Sequence, residues 1–335
     1  MVAAQVPDLR YLNAADVEAS MPPLDERLEL AELTMRALDV DAELPPKIGV
    51  HPRPDGSFAH AMPAFLRGRA EDGSGDGLGM KWVTGFASNN ARGLPSIGAL
   101  VVLNDPSTGV PIAVLDGAPI TAQRTAAVSG VAIRAYGPIV TGRAPRVAMI
   151  GAGTQARSHL PVLGAVLPGA ALAIFDRHAD RAAALVDAAH RTSGIGSAAA
   201  TAASARDAVD GADVVLTMAS FGPIRQVMTP DWVGPDATIV PVDYATYCSA
   251  ELARDAALFL VDERGQFIAN REAGAFDGYP DPTMTLGEAL RSSVARPSTG
   301  RVVVSHLGVG LADVVFGRAI LERAIELGRG SVLPR

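Results

Sequence analysis

A chain of 335 residues, 48% hydrophobic and 19% charged, is long enough to bury two cores of ordinary domain size. A net charge of −7 gives neither nucleic acid nor an anionic membrane surface an electrostatic reason to bind. The single cysteine, Cys248, excludes an intramolecular disulfide and a multi-cysteine metal site and fits a reducing cytoplasm. No basic segment leading into an apolar core opens the chain, and no apolar run of about 18 residues occurs, so neither a secretion signal nor a membrane span is expected.

Residues 14–39 have helical periodicity. Five apolar or alternating runs follow: KIGVH (47–51), FAHAMPAFL (58–66), GMKWVTGF (79–86), SIGALVVLND (96–105) and PIAVLDG (111–117). Gly, Pro or Asp separates them, which predicts strands. DPSTG (105–109) has the composition of a tight turn and should make the last two runs a hairpin. EDGSGDG (71–77) reads as a flexible loop. A helix is predicted over 120–136, with Thr121 as N-cap and Ile120, Val128, Val131 and Ala132 on its apolar stripe.

From RVAMIG (146–151) onward, strands and helices alternate. ALAIFD (171–176), DVVLTM (213–218), TIVPVD (238–243) and ALFLVD (257–262) are the further strand candidates. This pattern predicts an α/β fold with a Rossmann doubly wound parallel sheet over 126–307. The amphipathic stretch 308–328 falls after that sheet and is expected to return to the first part. A second, mixed α/β domain would then comprise 1–125 and 308–335.

Gly151, Gly153 and Ala156 fit G-x-G-x-x-[G/A] between a strand and a helix. The first glycine permits the tight turn, the second lets a pyrophosphate approach the backbone, and the third position need only be small. The helix N-terminus, opening with Thr154 and Gln155, offers N–H groups and a positive dipole end to phosphate. Asp176 ends the next strand, where a ribose-binding carboxylate belongs. A turn that serves packing alone, and a helix-capping role for Asp176, are the competing readings. A carboxylate there favours NAD over NADP, while the adjacent Arg177 keeps NADP open. With Thr121, these residues form the candidate cofactor set.

Two charges interrupt apolar patterns. Lys81 lies inside a strand, where alternation places it with Val83 and Gly85, opposite Trp82. It is either a buried, functional lysine or an edge-strand lysine facing solvent. Arg124 falls in the first turn of the predicted helix, against the dipole preference, which suggests an anionic partner such as a substrate carboxylate. The competing reading is a surface arginine. His51, His60, His159 and His306 have no metal-binding spacing and read as structural, His306 and Asp313 least securely. Cys248 has no evident histidine partner and reads as a buried or pocket-wall thiol. Tyr244 and Tyr247 follow a strand at the edge where such folds bind ligands, and 265–282 reads as a lid or a dimer contact.

The run DGAPITAQRTAA (116–127), with KWVTGF (81–86), MPA (62–64) and GAGTQA (151–156), resembles the ornithine cyclodeaminase/mu-crystallin family over about residues 20–328. The resemblance implies a homodimer, with one Rossmann domain and one substrate-binding and dimerisation domain per subunit. Carried over by motif, Lys81 is the active-site lysine. Arg124 binds the substrate α-carboxylate with help from Lys47. Ser96 stands where cyclodeaminases have a threonine near nicotinamide or substrate. Cyclodeaminases also carry an acid/base aspartate followed by Pro-Gly-Lys. Here the segment is VPVDYATYCSAEL (240–252), and counting back from Glu251 puts that aspartate on Ala245. Asp243 is either its shifted equivalent or a strand-end cap.

The function expected is an NAD(P)-dependent oxidoreductase acting on C–N bonds of amino acids or imines, with Lys81 and Asp243 as catalytic candidates. A cyclodeaminase with bound NAD and a non-catalytic NAD(P)-binding protein of the crystallin type are the alternatives. A small amino or imino acid is the expected partner.

Overall fold

In the computed structural model the residues described are 6–53, 56–68, 75–220 and 224–335. Residues 71–74 of the expected loop 71–77 lie outside them. The chain divides into two units, 1–124 with 309–335, and 125–308.

The first unit opens with β1 (Leu9–Leu12), α1 (Ala14–Ala19) and α2 (Leu24–Ala37). The single helical stretch expected over 14–39 is therefore two helices. Pro22 and Pro23 separate them, because proline cannot supply the N–H that a continuous helix needs. Next come β2 (Ala42–Glu43), β3 (Ile48–Val50), β4 (Phe58–Leu66), β5 (Gly77–Gly85), β6 (Ile97–Asn104) and β7 (Pro111–Asp116). β6 and β7 form the expected antiparallel hairpin, and Asp105 Oδ1 accepts from the Ser107 and Thr108 N–H groups in its turn.

Helix α3 (Gly117–Tyr136) follows at once. It begins four residues before Thr121, so Thr121 is not its N-cap; the Thr121 hydroxyl donates instead to the Gly117 carbonyl. Asp116 Oδ1 accepts from the Ala118 N–H at the true start. Pro119 is tolerated because first-turn N–H groups have no intrahelical partner to lose.

The second unit carries β8 (Arg146–Ile150), α4 (Thr154–Val166), β9 (Ala171–Phe175), α5 (Ala179–His190), β10 (Ala200–Thr201), α6 (Ala205–Val209), β11 (Val214–Thr217) and β12 (Thr238–Pro241). It continues with α7 (Ala250–Arg254), β13 (Leu258–Val261), α8 (Arg264–Glu272), β14 (Met284–Thr285), α9 (Leu286–Arg291) and β15 (Val302–Ser305). The chain then enters α10 (Gly310–Glu326) and β16 (Ser331–Leu333) of the first unit.

In the second unit the sheet order is β10-β9-β8-β11-β12-β15-β13-β14, parallel throughout. β11, β12, β13 and β15 are fully buried, as a sheet covered on both faces requires. One face packs on α4 and α5 through Leu160, Leu163 and Leu185. On the other face, Phe259 of β13 packs on Phe267, Phe276 and Tyr279. The last two aromatics pin 265–282 into the core, so this segment is no free flap.

The first unit's sheet runs β16-β1-β7-β6-β5-β4-β2, with β3 also on β4. Register sets its two faces. Leu12, Leu115, Val101, Lys81 and Met62 are cross-strand neighbours in one row, all between 0% and 3% exposed. Four are apolar, each contributing about 1.5–3 kcal/mol on full burial; the fifth is a lysine. The next row, Ile48, Ala61, Trp82 and Leu100, belongs to the opposite face. There Ile48, Trp82 and Leu100 are exposed.

Candidate active site

β5 lies between β4 and β6, so Lys81 is on a central strand, not an edge. It shares its face with Val83 and Gly85 and is 1% exposed, while Trp82 points away. An unpaired ammonium could not remain there. Its partner comes from α10, which lies across β4, β5 and β6. Gly310 lets that helix approach, since a Cβ at 310 would strike the Met62 carbonyl. One turn on, Asp313 Oδ2 stands 2.7 Å from Lys81 Nζ.

The other oxygen of Asp313 accepts from Arg124 Nε at 3.2 Å. Arg124 is 5% exposed. It sits in the second turn of α3, not the first, and its buried partner is Asp313; a helix-dipole conflict is not the reason for it. Among the described residues, the two terminal guanidinium nitrogens make no hydrogen bond to the protein.

Burial and the neighbouring guanidinium of Arg124 bring the Lys81 ammonium down to about 7, against the upward pull of Asp313. Lys47, half-buried just before β3, adds a further cation that acts on Lys81. Asp313 thus lies between two cations, Lys81 and Arg124, with Lys47 acting on Lys81 as well. His60, stacked on Phe58 at 4.6 Å, is held to about 4 by burial and by Lys47, His51 and Lys81, and so stays neutral. Ser96 lies just before β6 and its carbonyl accepts from the Phe86 N–H.

In the second unit, the turn after β8 has the shape its glycines suggest. Gly151 has φ +99°, and a Cβ there would lie 2.5 Å from the Met218 carbonyl oxygen. A Cβ on Gly153 would meet nothing within 4 Å. Gly153 is the N-cap of α4 and offers no side chain to the first-turn N–H groups of Thr154, Gln155 and Ala156. Ala156 is fully buried against the sheet, which is why a small residue suffices there. Open space above an uncapped helix N-terminus fits a dinucleotide pyrophosphate.

Asp176, just past β9, braces this turn: one oxygen accepts from the Ala152 N–H at 2.8 Å and the other from the His178 N–H at 2.8 Å. Arg177 is exposed, its Nε 3.2 Å from His178 Nε2.

Asp243, past the end of β12, is 2% exposed. It accepts from the Thr217 hydroxyl at 2.7 Å and the Ala219 N–H at 3.1 Å, and burial raises it to about 7. Tyr244 follows in the left-handed region, φ +60°, stacked on Phe276. Cys248 is buried and its thiol is pushed up to about 12, so it holds no thiolate. No group of three or more metal-ligating side chains occurs among the described residues.

Asp313 is the residue whose role the sequence left open; nothing local signals it except its place four residues into a helix opened by two nearby glycines, Gly308 and Gly310. With the geometry in view, comparison with known proteins decides the lineage. Residues 10–327 match the ornithine cyclodeaminase/mu-crystallin family. The chain belongs to that family. Among its relatives, the nodulation efficiency protein NfeD of Rhizobium meliloti is 33% identical over 333 residues, covering 97% of this chain and 98% of that protein. The ketimine reductase mu-crystallin of Mus musculus is 28% identical over 272 residues, 79% of this chain and 80% of its own. Among solved structures, an archaeal alanine dehydrogenase dimer with bound NAD superposes with a TM-score of 0.81 at 25% identity, covering 97% and 99% of the two chains.

Proposed function

We propose that the chain is an NAD-dependent oxidoreductase of C–N bonds, reducing the imine of a 2-oxo acid, linear or cyclic, to the amino acid or running that reaction in reverse. The observation that carries this reading is Lys81: a lysine inside a dry apolar row, brought to about 7, beside an arginine whose two terminal nitrogens make no hydrogen bond among the described residues. Ketimine reduction in a relative, and NAD bound to an alanine dehydrogenase of the same fold, support it.

Bound NADH supplies the hydride, and the turn Gly151–Ala156 with Asp176 holds the dinucleotide. Arg124 receives the substrate carboxylate in its terminal fork, aided by Lys47. Lys81 delivers a proton to the imine nitrogen, a role for which a group near neutrality is best placed. Asp313 touches neither hydride nor carboxylate; it orients Lys81 and Arg124 and keeps part of the Lys81 population charged. Ser96 is assigned a substrate contact from its place in the family motif alone; it pairs with Phe86, in the β5–β6 rows that face away from Lys81. Asp243 is assigned to fastening the ends of the strands, through the Thr217 hydroxyl and the Ala219 N–H.

The family's cyclodeaminase chemistry fits less well, since Ala245 stands where that aspartate is expected and is fully buried. A purely NAD-binding role leaves the buried Lys81–Asp313–Arg124 triad without a purpose. The first unit is assigned substrate binding and dimerisation. Its exposed row Ile48, Trp82 and Leu100 is an apolar face suited to a second copy. Among the described residues no helix is long and apolar enough to cross a membrane, and NADH-dependent chemistry of this kind is assigned to the cytoplasm.

NADH absorbance, followed with a panel of 2-oxo acids plus amines and of cyclic imine carboxylates, tests the reading. Net oxidation of NADH, lost in Lys81→Ala, is expected. Ammonia release from ornithine with no net change in NADH would overturn it.

A further inference from the structure

The second unit holds a buried polar chain that the chemistry above does not use. Ser129, on α3, is fully buried, as is His159 on α4; His306, just past β15, is 3% exposed. Ser129 Oγ lies 2.8 Å from His159 Nε2 and 2.9 Å from His306 Nε2. His159 Nδ1 is 2.6 Å from the Gln155 carbonyl oxygen.

The direction of each bond follows from what each atom can do. A carbonyl only accepts, so His159 Nδ1 carries a proton. Burial holds His159 down to about 4, so its ring is neutral and Nε2 is a bare acceptor. The Ser129 hydroxyl therefore donates to His159. Having spent its proton, Ser129 Oγ can only accept at its other contact, from the N–H of His306 Nε2. A hydroxyl, which donates once while accepting elsewhere, is what this place requires.

The chain ends in the first turn of α4. The Gln155 carbonyl receives the His159 N–H and also the Ser158 hydroxyl, at 2.8 Å. Two side-chain donors thus hold the carbonyl of the Gln155–Ala156 peptide, whose N–H belongs to the first turn of a helix that has no capping side chain. We propose that Ser129 is a positioning residue for dinucleotide binding: through the His306–Ser129–His159 chain it fixes the first turn of α4. This rests on the reading that Gly151–Ala156 holds the pyrophosphate of NAD.

Removing the hydroxyl leaves His159 Nε2 without its donor in a dry interior, and the His159 ring must turn to find another. His159 then releases the Gln155 carbonyl, and the α4 N–H groups lose their fixed aim.

The test is NADH titration by fluorescence, well below the melting temperature, on the full chain, with KM for the imine substrate measured alongside. Ser129→Ala should raise the NADH dissociation constant about tenfold, the effect of one lost buried hydrogen bond, and leave KM for the imine unchanged. Ser129→Thr, which keeps the hydroxyl, should bind NADH as the parent does. If Ser129→Ala does not fold, His306→Gln, which keeps an N–H near Nε2, should bind more tightly than His306→Leu. Unaltered NADH binding in Ser129→Ala would overturn the proposal, as would equal weakening of both constants or equal binding by the two His306 variants. A parent chain that binds no NADH would overturn the underlying reading, and this one with it.

Discussion

Lys81 Nζ and Asp313 Oδ2 meet at 2.7 Å with both side chains withdrawn from water, and the opposite oxygen of Asp313 holds Arg124. One carboxylate thus serves two buried cations. Asp313→Asn keeps the shape and removes the charge. Breaking a buried pair in this way costs on the order of 3–5 kcal/mol, which a denaturant titration will show as a lower midpoint. The variant also removes the one group that pulls the Lys81 pKa upward, so that pKa should drop below its present value of about 7.

Arg124 should govern substrate affinity. Replacing its bidentate fork with the single ammonium of Arg124→Lys keeps the charge and loses the geometry. The expected result is a KM for the carboxylate substrate raised about 10–100-fold, the equivalent of a charge-assisted hydrogen bond. The NADH dissociation constant should not move. An unchanged KM would remove Arg124 from the carboxylate site.

The two glycines of the turn should separate folding from binding. At Gly153 an added Cβ meets only open space and φ is −85°, so Gly153→Ala should leave the thermal midpoint in place and weaken NADH binding. At Gly151 the backbone is left-handed and the Met218 carbonyl blocks a Cβ. Gly151→Ala should therefore cost stability, roughly 1–3 kcal/mol. Thermal melts and NADH titration of the pair check both outcomes.

The exposed row of Trp82, Leu100 and Ile48 should be a dimer contact. Trp82→Glu and Leu100→Glu each place a charge in it, and light scattering should then report a monomer where the parent is a dimer. A monomeric parent would contradict the assignment.

Much of this was legible in the sequence because it is written locally. FAHAMPAFL is β4 residue for residue, and ADRAAALVDAAH is α5. Gly151, Gly153 and Ala156 announce their turn through spacing between a strand and a helix, and strand alternation groups Lys81 with Val83 and Gly85 but leaves open which face is buried. What escaped is non-local. Arg124 and Asp313 are 189 positions apart, and no periodicity links them. β15 is four residues long and inserts between β12 and β13, so its place appears only in the sheet. The pattern places the start of α3 three residues late, at 120, whereas Asp116 and a first-turn proline open it at Gly117. Nothing local marks Ser129 either: its partners His159 and His306 lie 30 and 177 positions away.

The pH dependence of kcat/KM for imine reduction tests the central claim, that the Lys81 ammonium is the proton donor. The donor must be charged, so the rate should be full below about pH 7 and fall about tenfold per unit above it. In Asp313→Asn the same limb should begin at lower pH. A profile that is flat through this range, or that rises with pH, would contradict the account.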